Sequence, residues 1–255
     1  MKARPYILTI AGFDPSNGAG FTADIKTIEA LKGYGLTVCT ANTIQNDIDF
    51  KICDWVDVKM MTKQIEILFD RFAIDFVKIG IIENWKVLHE IIDFLIEKNK
   101  EIKIVLDPIL RSSSDFDFHN PSIQKVSNTS VLFDQILDKI YLITPNYLEI
   151  ERLYVDKTID ETVKHISSKT NLFLKGGHRE EVGKDELFTK GGKYFALKPK
   201  GQNLSEKHGS GCILSSSIIT YLALGFPLLK ACLKGKRYTE KVLGSNKSLL
   251  GYHNV

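Results

Sequence analysis

The stretch Tyr6–Ala30, YILTIAGFDPSNGAGFTADIKTIEA, decides how the rest of the chain is read. Its opening, YILTIA (6–11), is apolar or β-branched almost without interruption, which suits a strand buried on both faces of a sheet. A loop of small and polar residues follows, Gly12-Phe13-Asp14-Pro15-Ser16-Asn17-Gly18-Ala19-Gly20, and helical periodicity takes over from about Ala19 to Lys32. Strand, loop and helix in that order open a βαβ unit. The end of the loop, Gly18-Ala19-Gly20-Phe21-Thr22-Ala23, formally satisfies G-x-G-x-x-A, the fingerprint of a dinucleotide fold. The signal is weak: the loop before it is long, Asp14-Pro15 interrupts the tight turn, and no acid closes the second strand at the required distance. Hydride chemistry is therefore a minor reading, and the Walker pattern of a P-loop is absent altogether.

Outward from this stretch the alternation continues. Strand-like runs occur at TVCTAN (37–42), DFVKIG (75–80), IKIVLD (102–107), IYLITP (140–145) and NLFLKG (171–176). Between them lie helical segments at Val58–Phe72, Trp85–Lys98, Tyr147–Leu153 and Asp160–Ser168. Such alternation predicts an α/β fold with a mostly parallel sheet and helices on both faces. DELFTKGGKYFALK (185–198) differs: two short alternating runs joined by Gly191-Gly192 read as an antiparallel edge hairpin with a two-residue turn. A helix over about Cys212–Leu224, a break at Gly225-Phe226-Pro227 and a last helix complete the pattern. No linker or repeat divides the 255 residues, so a single domain over 1–255 is expected.

Composition narrows the function classes. A formal net charge of +3 is too mild to imply nucleic-acid binding, and the basic residues near the C-terminus (Lys230, Lys234, Lys236, Arg237, Lys241, Lys247) read as a solvated helix face. Cys39, Cys53, Cys212 and Cys232 lie far apart with no C-x-x-C spacing, which argues against a zinc site or a disulfide framework and fits reduced thiols in a cytoplasmic protein. No apolar run is long enough to span a membrane, and the N-terminal one is read as the first strand.

In a parallel sheet, ligands bind beyond the carboxyl ends of the strands. Polar residues stand at nearly every such end here: Gln45-Asn46-Asp47, Asp107-Pro108, Asn146 with Glu149 one turn later, and Lys175-Gly176-Gly177-His178. Asp107 or Glu149 alone could cap a helix or hold a turn; together at one sheet edge they suit a magnesium ion that also binds substrate phosphates. Lys175 falls in an apolar run and calls for an anionic partner, either a triphosphate or a neighbouring carboxylate. KHGSGCILSSS (207–217) puts two glycines and small polar residues where an apolar helix begins, so backbone amides at Gly209–Cys212 can converge on an anion; the alternative is an ordinary turn before a buried helix.

The segments IAGFDPSNGAGFTADIKTIEALKGYGLTVCTANTIQND, VLDPIL, ITPNYLEIERL, FLKGGH and HGSGC, in that order, resemble the hydroxymethylpyrimidine and phosphomethylpyrimidine kinases of thiamine biosynthesis, in the ribokinase-like superfamily. The resemblance runs from about Tyr6 to about Gly225. It implies a three-layer α/β/α fold and phosphorylation of 4-amino-5-hydroxymethyl-2-methylpyrimidine, and of its monophosphate, by ATP with Mg2+; a homodimer follows only by analogy. Residue by residue, it sets Gly12 and Asp24 against the substrate and Gln45 at the aminopyrimidine edge, where a carboxamide offers both donor and acceptor. It assigns Asp107 and Glu149 to magnesium, Lys175 and Asn146 to ATP, and Gly209, Ser210 and Gly211 to an anion hole. Cys212 stands where many superfamily members have an aspartate base. A helix N-terminus would push its thiol toward the thiolate, so it is either a base or a small packing residue. The chain departs from the family pattern at Phe13, Asn17, Ser210 and RSSSDFDFHNPS (111–122), which bear on pocket size and closure. A pyridoxal kinase and a non-catalytic small-molecule sensor are the competing readings.

Overall fold

The computed structural model describes residues 4–111, 118, 129–177, 183–202 and 204–254; most of RSSSDFDFHNPS, and His178, lie outside them. In chain order the elements are β1 (Tyr6–Phe13), α1 (Gly20–Ala30), β2 (Tyr34–Gln45), β3 (Phe50–Trp55), α2 (Val58–Arg71), β4 (Phe76–Ile79) and α3 (Trp85–Lys98). There follow β5 (Lys103–Leu106), α4 (Thr129–Leu137), β6 (Leu142–Ile143), α5 (Tyr147–Leu153), α6 (Ile159–Lys169) and β7 (Asn171–Leu174). The last are β8 (Asp185–Phe188), β9 (Tyr194–Leu197), α7 (Ser210–Ala223) and α8 (Leu228–Leu243). They build one sheet in the order β3-β2-β1-β4-β5-β6-β7-β8-β9. The run from β2 to β7 is parallel, and antiparallel strands flank it at both edges.

The apolar strands are buried on both faces because successive side chains point to opposite sides. In β1, Leu8 and Ile10 enter the core that holds Leu88 and Ile92 of α3 and Ile65 of α2, while Ile7 faces Ile218 and Ile219 of α7. The same split recurs at β5, where Ile104 and Leu106 face the first core and Val105 the second. Helices α2 to α6 thus cover one face, with α7 and α8 on the other, giving the expected three-layer α/β/α sandwich.

Three features differ from the sequence reading, the first being α4, which forms between the fourth and fifth of the early strand-like runs, where no helix was expected. FKICDW (50–55) forms β3, which pairs antiparallel with a β2 that runs on to Gln45, so the sheet has a second antiparallel edge. Its burial is only partial along its length, so it carries none of the apolar continuity that marked the central strands. The β8–β9 turn is also wider than two residues: Thr189 N–H donates to Lys193 O across it, Gly192 N–H donates back to Thr189 O, and only Gly192 takes a positive φ, of 79°. A glycine in the left-handed region at the end of a three-residue loop is a common hairpin solution.

Candidate active site

In the sheet order, β1 leads to β2 on one side while its other neighbour is β4, so the chain reverses direction of travel there. The crevice beyond the carboxyl ends of these strands is where an open α/β sheet offers a binding site. A cavity of about 820 Å³ opens over it and reaches from Gly12, Gln45 and Phe50 past Lys78, Asp107 and Cys212 to Asn146, Glu149, Lys175 and Gly209–Gly211. Of the residues to which the resemblance gives a site role, all but Asp24 line it.

Asp107 follows β5 directly and is fully buried. Lys175 Nζ donates to its Oδ1 at 2.8 Å, Thr144 Oγ1 to the same oxygen at 3.1 Å, and Ser215 Oγ from α7 to Oδ2 at 3.1 Å. Burial opposes its ionisation, but Lys175, Lys78 and these bonds prevail and hold its pKa below the ordinary value. Glu149 Oε2 lies 3.5 Å from Lys175 Nζ. Burial pushes its pKa up to about 7, against Lys175, and the neighbouring Asp107 charge adds to the rise. Asn146 and Glu149 also close a capping box at the start of α5: Asn146 Oδ1 accepts from Glu149 N–H at 2.8 Å, and Glu149 Oε2 from Asn146 N–H at 2.7 Å. The cap fixes both side chains relative to Lys175, whose backbone forms a parallel bridge with Asn146.

The glycines of HGSGC have different tasks. Gly209 is the left-handed N-cap of α7, with φ 73°, and a Cβ there would overlap the carbonyl oxygen of Gly18. Gly211 is the one that opens toward the chemistry: a Cβ on it would lie 3.4 Å from Lys175 Nζ and 3.6 Å from Asp107 Oδ2. Gly20, with φ 60°, packs in the same way on the carbonyl of Gly12. The contact between the β1–α1 loop and α7 is held by a pair absent from the sequence reading. Asp14, fully buried, accepts from His208 Nε2 at 3.0 Å and from the N–H groups of Ser16, Gly18 and Ala19 at 2.8, 3.0 and 2.7 Å. Asp14 and His208 lie within the quoted motifs, but nothing in their spacing revealed that they meet.

Gly12 is pressed against the Ile81 side chain, and Gln45 Nε2 donates to Thr43 Oγ1 at 2.8 Å. Asp24 sits beneath the floor, fully buried on α1, where its Oδ2 accepts from Lys78 Nζ at 2.8 Å and Thr9 Oγ1 at 2.6 Å. Lys78 was not anticipated, although the signal was present: like Lys175 it interrupts an apolar strand, in FVKI (76–79). For Cys212 the helix N-terminus does not win. Burial raises its thiol to about 11, aided by Asp24 and Asp107, and Lys78 and the Gly20 N–H pull back only part of the way. The resting side chain is a neutral thiol.

A model of phosphomethylpyrimidine kinases matches residues 14–254 of the chain. The chain belongs to the phosphomethylpyrimidine kinase family. Curated members of this phosphotransferase family bear the match out. A hydroxymethylpyrimidine/phosphomethylpyrimidine kinase from Aquifex aeolicus is 30% identical, covering 96% of this chain and 97% of its own, and one from Haemophilus influenzae is 30% identical, covering 91% and 88%. A thiamine biosynthesis bifunctional protein ThiED from Geobacter sulfurreducens is 31% identical over 92% of the chain, which spans about half of that relative, 48% of its length. Among solved structures, a phosphomethylpyrimidine kinase from Clostridium difficile 630 superposes with a TM-score of 0.76 at 30% identity, covering 93% of this chain and 99% of its own. The pyridoxal kinase of Staphylococcus aureus in complex with ADP gives 0.83 over 99% and 94%, but at 22% identity, which speaks for the shared fold alone. Among the described residues no helix is long and apolar enough to cross a membrane.

Proposed function

We propose that this chain is a single-domain kinase that transfers the γ-phosphoryl group of ATP to the hydroxymethyl group of 4-amino-5-hydroxymethyl-2-methylpyrimidine and then to the resulting monophosphate. The observation that carries the reading is the convergence of Lys175, Asp107, Glu149 and the Gly211 backbone on one end of a cavity whose other end is formed by Gly12 and Gln45. Phosphoryl transfer needs positioning and charge stabilisation more than covalent help, and this end offers both. The α7 amides and the Lys175 ammonium face the γ-phosphate, and Gly211 lets the backbone approach because a side chain there would stand between it and Lys175. Asn146 borders the nucleotide and, through its cap, keeps Glu149 oriented.

Asp107 and Glu149 fit magnesium in its usual manner. Among the described residues no group of three or more His, Cys, Asp or Glu side chains forms a cage, and magnesium with phosphates needs only one or two carboxylates and water. Bound there it would neutralise phosphate charge. Gln45 reads the aminopyrimidine edge through its amide, and Cys212, a neutral thiol at rest, acts as a relay: its sulfur takes the hydroxyl proton as its own S–H proton passes to an oxygen of the transferred phosphoryl group. Pyridoxal kinase is the alternative, since pyridoxal also presents a hydroxymethyl group on a heteroaromatic ring. ADP release measured with the pyrimidine alcohol, its monophosphate and pyridoxal separates the readings: turnover of the pyrimidines above pyridoxal is expected, and ATP turnover with none of the three removes the proposal.

A further inference from the structure

The buried pair Lys78–Asp24 is not needed to close the sheet. On the face of β4 that meets α7, Lys78 stands between Thr9 of β1, whose hydroxyl also donates to Asp24, and the apolar Val105 of β5, with Ile7 two residues along β1, and both charged side chains are fully buried. Such a pair is weak support for stability, because a hydrophobic pair of the same volume often does as well or better. Its placement points elsewhere. Lys78 borders the cavity while Asp24 lies behind it, and the ammonium lies beside Ala11 and Gly80, where a Cβ on Gly80 would come within 2.9 Å of Nζ. Asp24 Oδ1 is buried without a hydrogen-bond partner among the described residues, so the pair retains unused polar capacity. Lys175, the other cavity lysine, is held by Asp107 and Glu149 on the β5–β7 side. Lys78 is therefore a buried cation on the Gly12 side, where the acceptor belongs.

We propose that Lys78 is the specificity-determining cation that admits a phosphomonoester as acceptor, supporting the second phosphorylation more than the first. The inference rests on the function proposed above. The two transfers differ in their demands. In the first, a neutral hydroxyl attacks the γ-phosphorus and must lose a proton. In the second, an oxygen of the acceptor phosphate forms the new bond to the γ-phosphorus as the bond from the γ-phosphorus to the β,γ-bridging oxygen breaks and its electron pair leaves with ADP. A dianionic acceptor yields the diphosphate ester and ADP with no proton to remove. What it brings instead is about two negative charges at neutral pH, set against an already anionic nucleotide. A fixed ammonium on the acceptor side relieves that repulsion.

The test uses the full chain and compares kcat/KM for the alcohol and its monophosphate. The double variant Asp24→Asn with Lys78→Met removes the pair without leaving an unpaired buried charge. The loss on the monophosphate is expected to exceed the loss on the alcohol by about tenfold or more, the scale of one charged hydrogen bond. Equal losses, or a larger loss on the alcohol, overturn the assignment. If the variant does not fold, equilibrium binding to the wild-type chain without ATP still decides: the monophosphate must bind more tightly than the alcohol, and equal or weaker binding overturns it. Wild-type protein that phosphorylates neither compound removes the functional reading itself. Wild type that accepts only the alcohol removes the Lys78 proposal and the second transfer, and leaves the first transfer standing.

Discussion

At Cys212 two effects compete, and their magnitudes decide the outcome. A helix N-terminus favours a thiolate, but the side chain is only 5% exposed and sits near Asp24 and Asp107. With its pKa pushed up to about 11, roughly one thiol in ten thousand is ionised at neutral pH. Alkylation of Cys212 by iodoacetamide, followed by mass spectrometry, should be slow at pH 7 and accelerate toward pH 11. Replacing Cys212 by Ser is expected to lower kcat by about tenfold to a hundredfold, less than a resting general base supplies; unchanged turnover would leave the side chain a packing role only. Lys175 was legible because an ammonium in an apolar run needs an explanation, and Lys78 carried the same mark in a strand otherwise read as core. The depth of Asp24 was not legible. It depends on which face of α1 meets the sheet at the height of Lys78, and no residue in either element records that.

Among the elements, the helices were the most readable. Trp85–Lys98 and Tyr147–Leu153 have the bounds their periodicity implied, and each starts on an asparagine cap, Asn84 and Asn146. Strand β3 escaped because an edge strand with one wet side need not be apolar. The meaning of the HGSGC glycines changed once their neighbours were known. Gly209 is required by its φ and by the Gly18 carbonyl, so Gly209→Ala should destabilise the fold by at least about 2 kcal/mol in chemical denaturation, before any effect on phosphate binding. The β1–α1 loop depends in turn on Asp14. Burial would raise its pKa, but the bonds from His208, Ala19 and Ser16 hold it below 3.8. A depressed carboxylate contributes its stability above the unfolded value and loses it as pH falls through the folded one. Asp14→Asn should therefore cost about 2 kcal/mol at pH 7, with the gap to wild type narrowing below pH 4 in urea titrations.

For the molecule as a whole, the parallel sheet and its three layers follow from strands buried on both faces, but the strand order does not. Whether β4 lies beside β1 or beyond β2 is a matter of which helices cover which face, and that order is what creates the crevice at β1 and β4. Ligand binding should be visible at this scale too. A non-hydrolysable ATP analogue with magnesium at about a hundred times its Kd is expected to stabilise the folded chain by about 2.7 kcal/mol, read as a rise in Tm; no shift at saturating nucleotide would contradict the proposed site.

The Asp14–His208 contact joins residues 194 positions apart. The nine strands among the described residues are complete by Leu197, ten residues or so before His208 is added, so the sheet can be synthesised while the phosphate end of the cavity has yet to be made. Completion of the proposed site is thus deferred to the last stage of synthesis. A nascent chain halted after β9 would carry the Gly12 and Gln45 wall without the α7 amides that face it, and its first loop would lack the His208 contact that fastens it to the other side of the site.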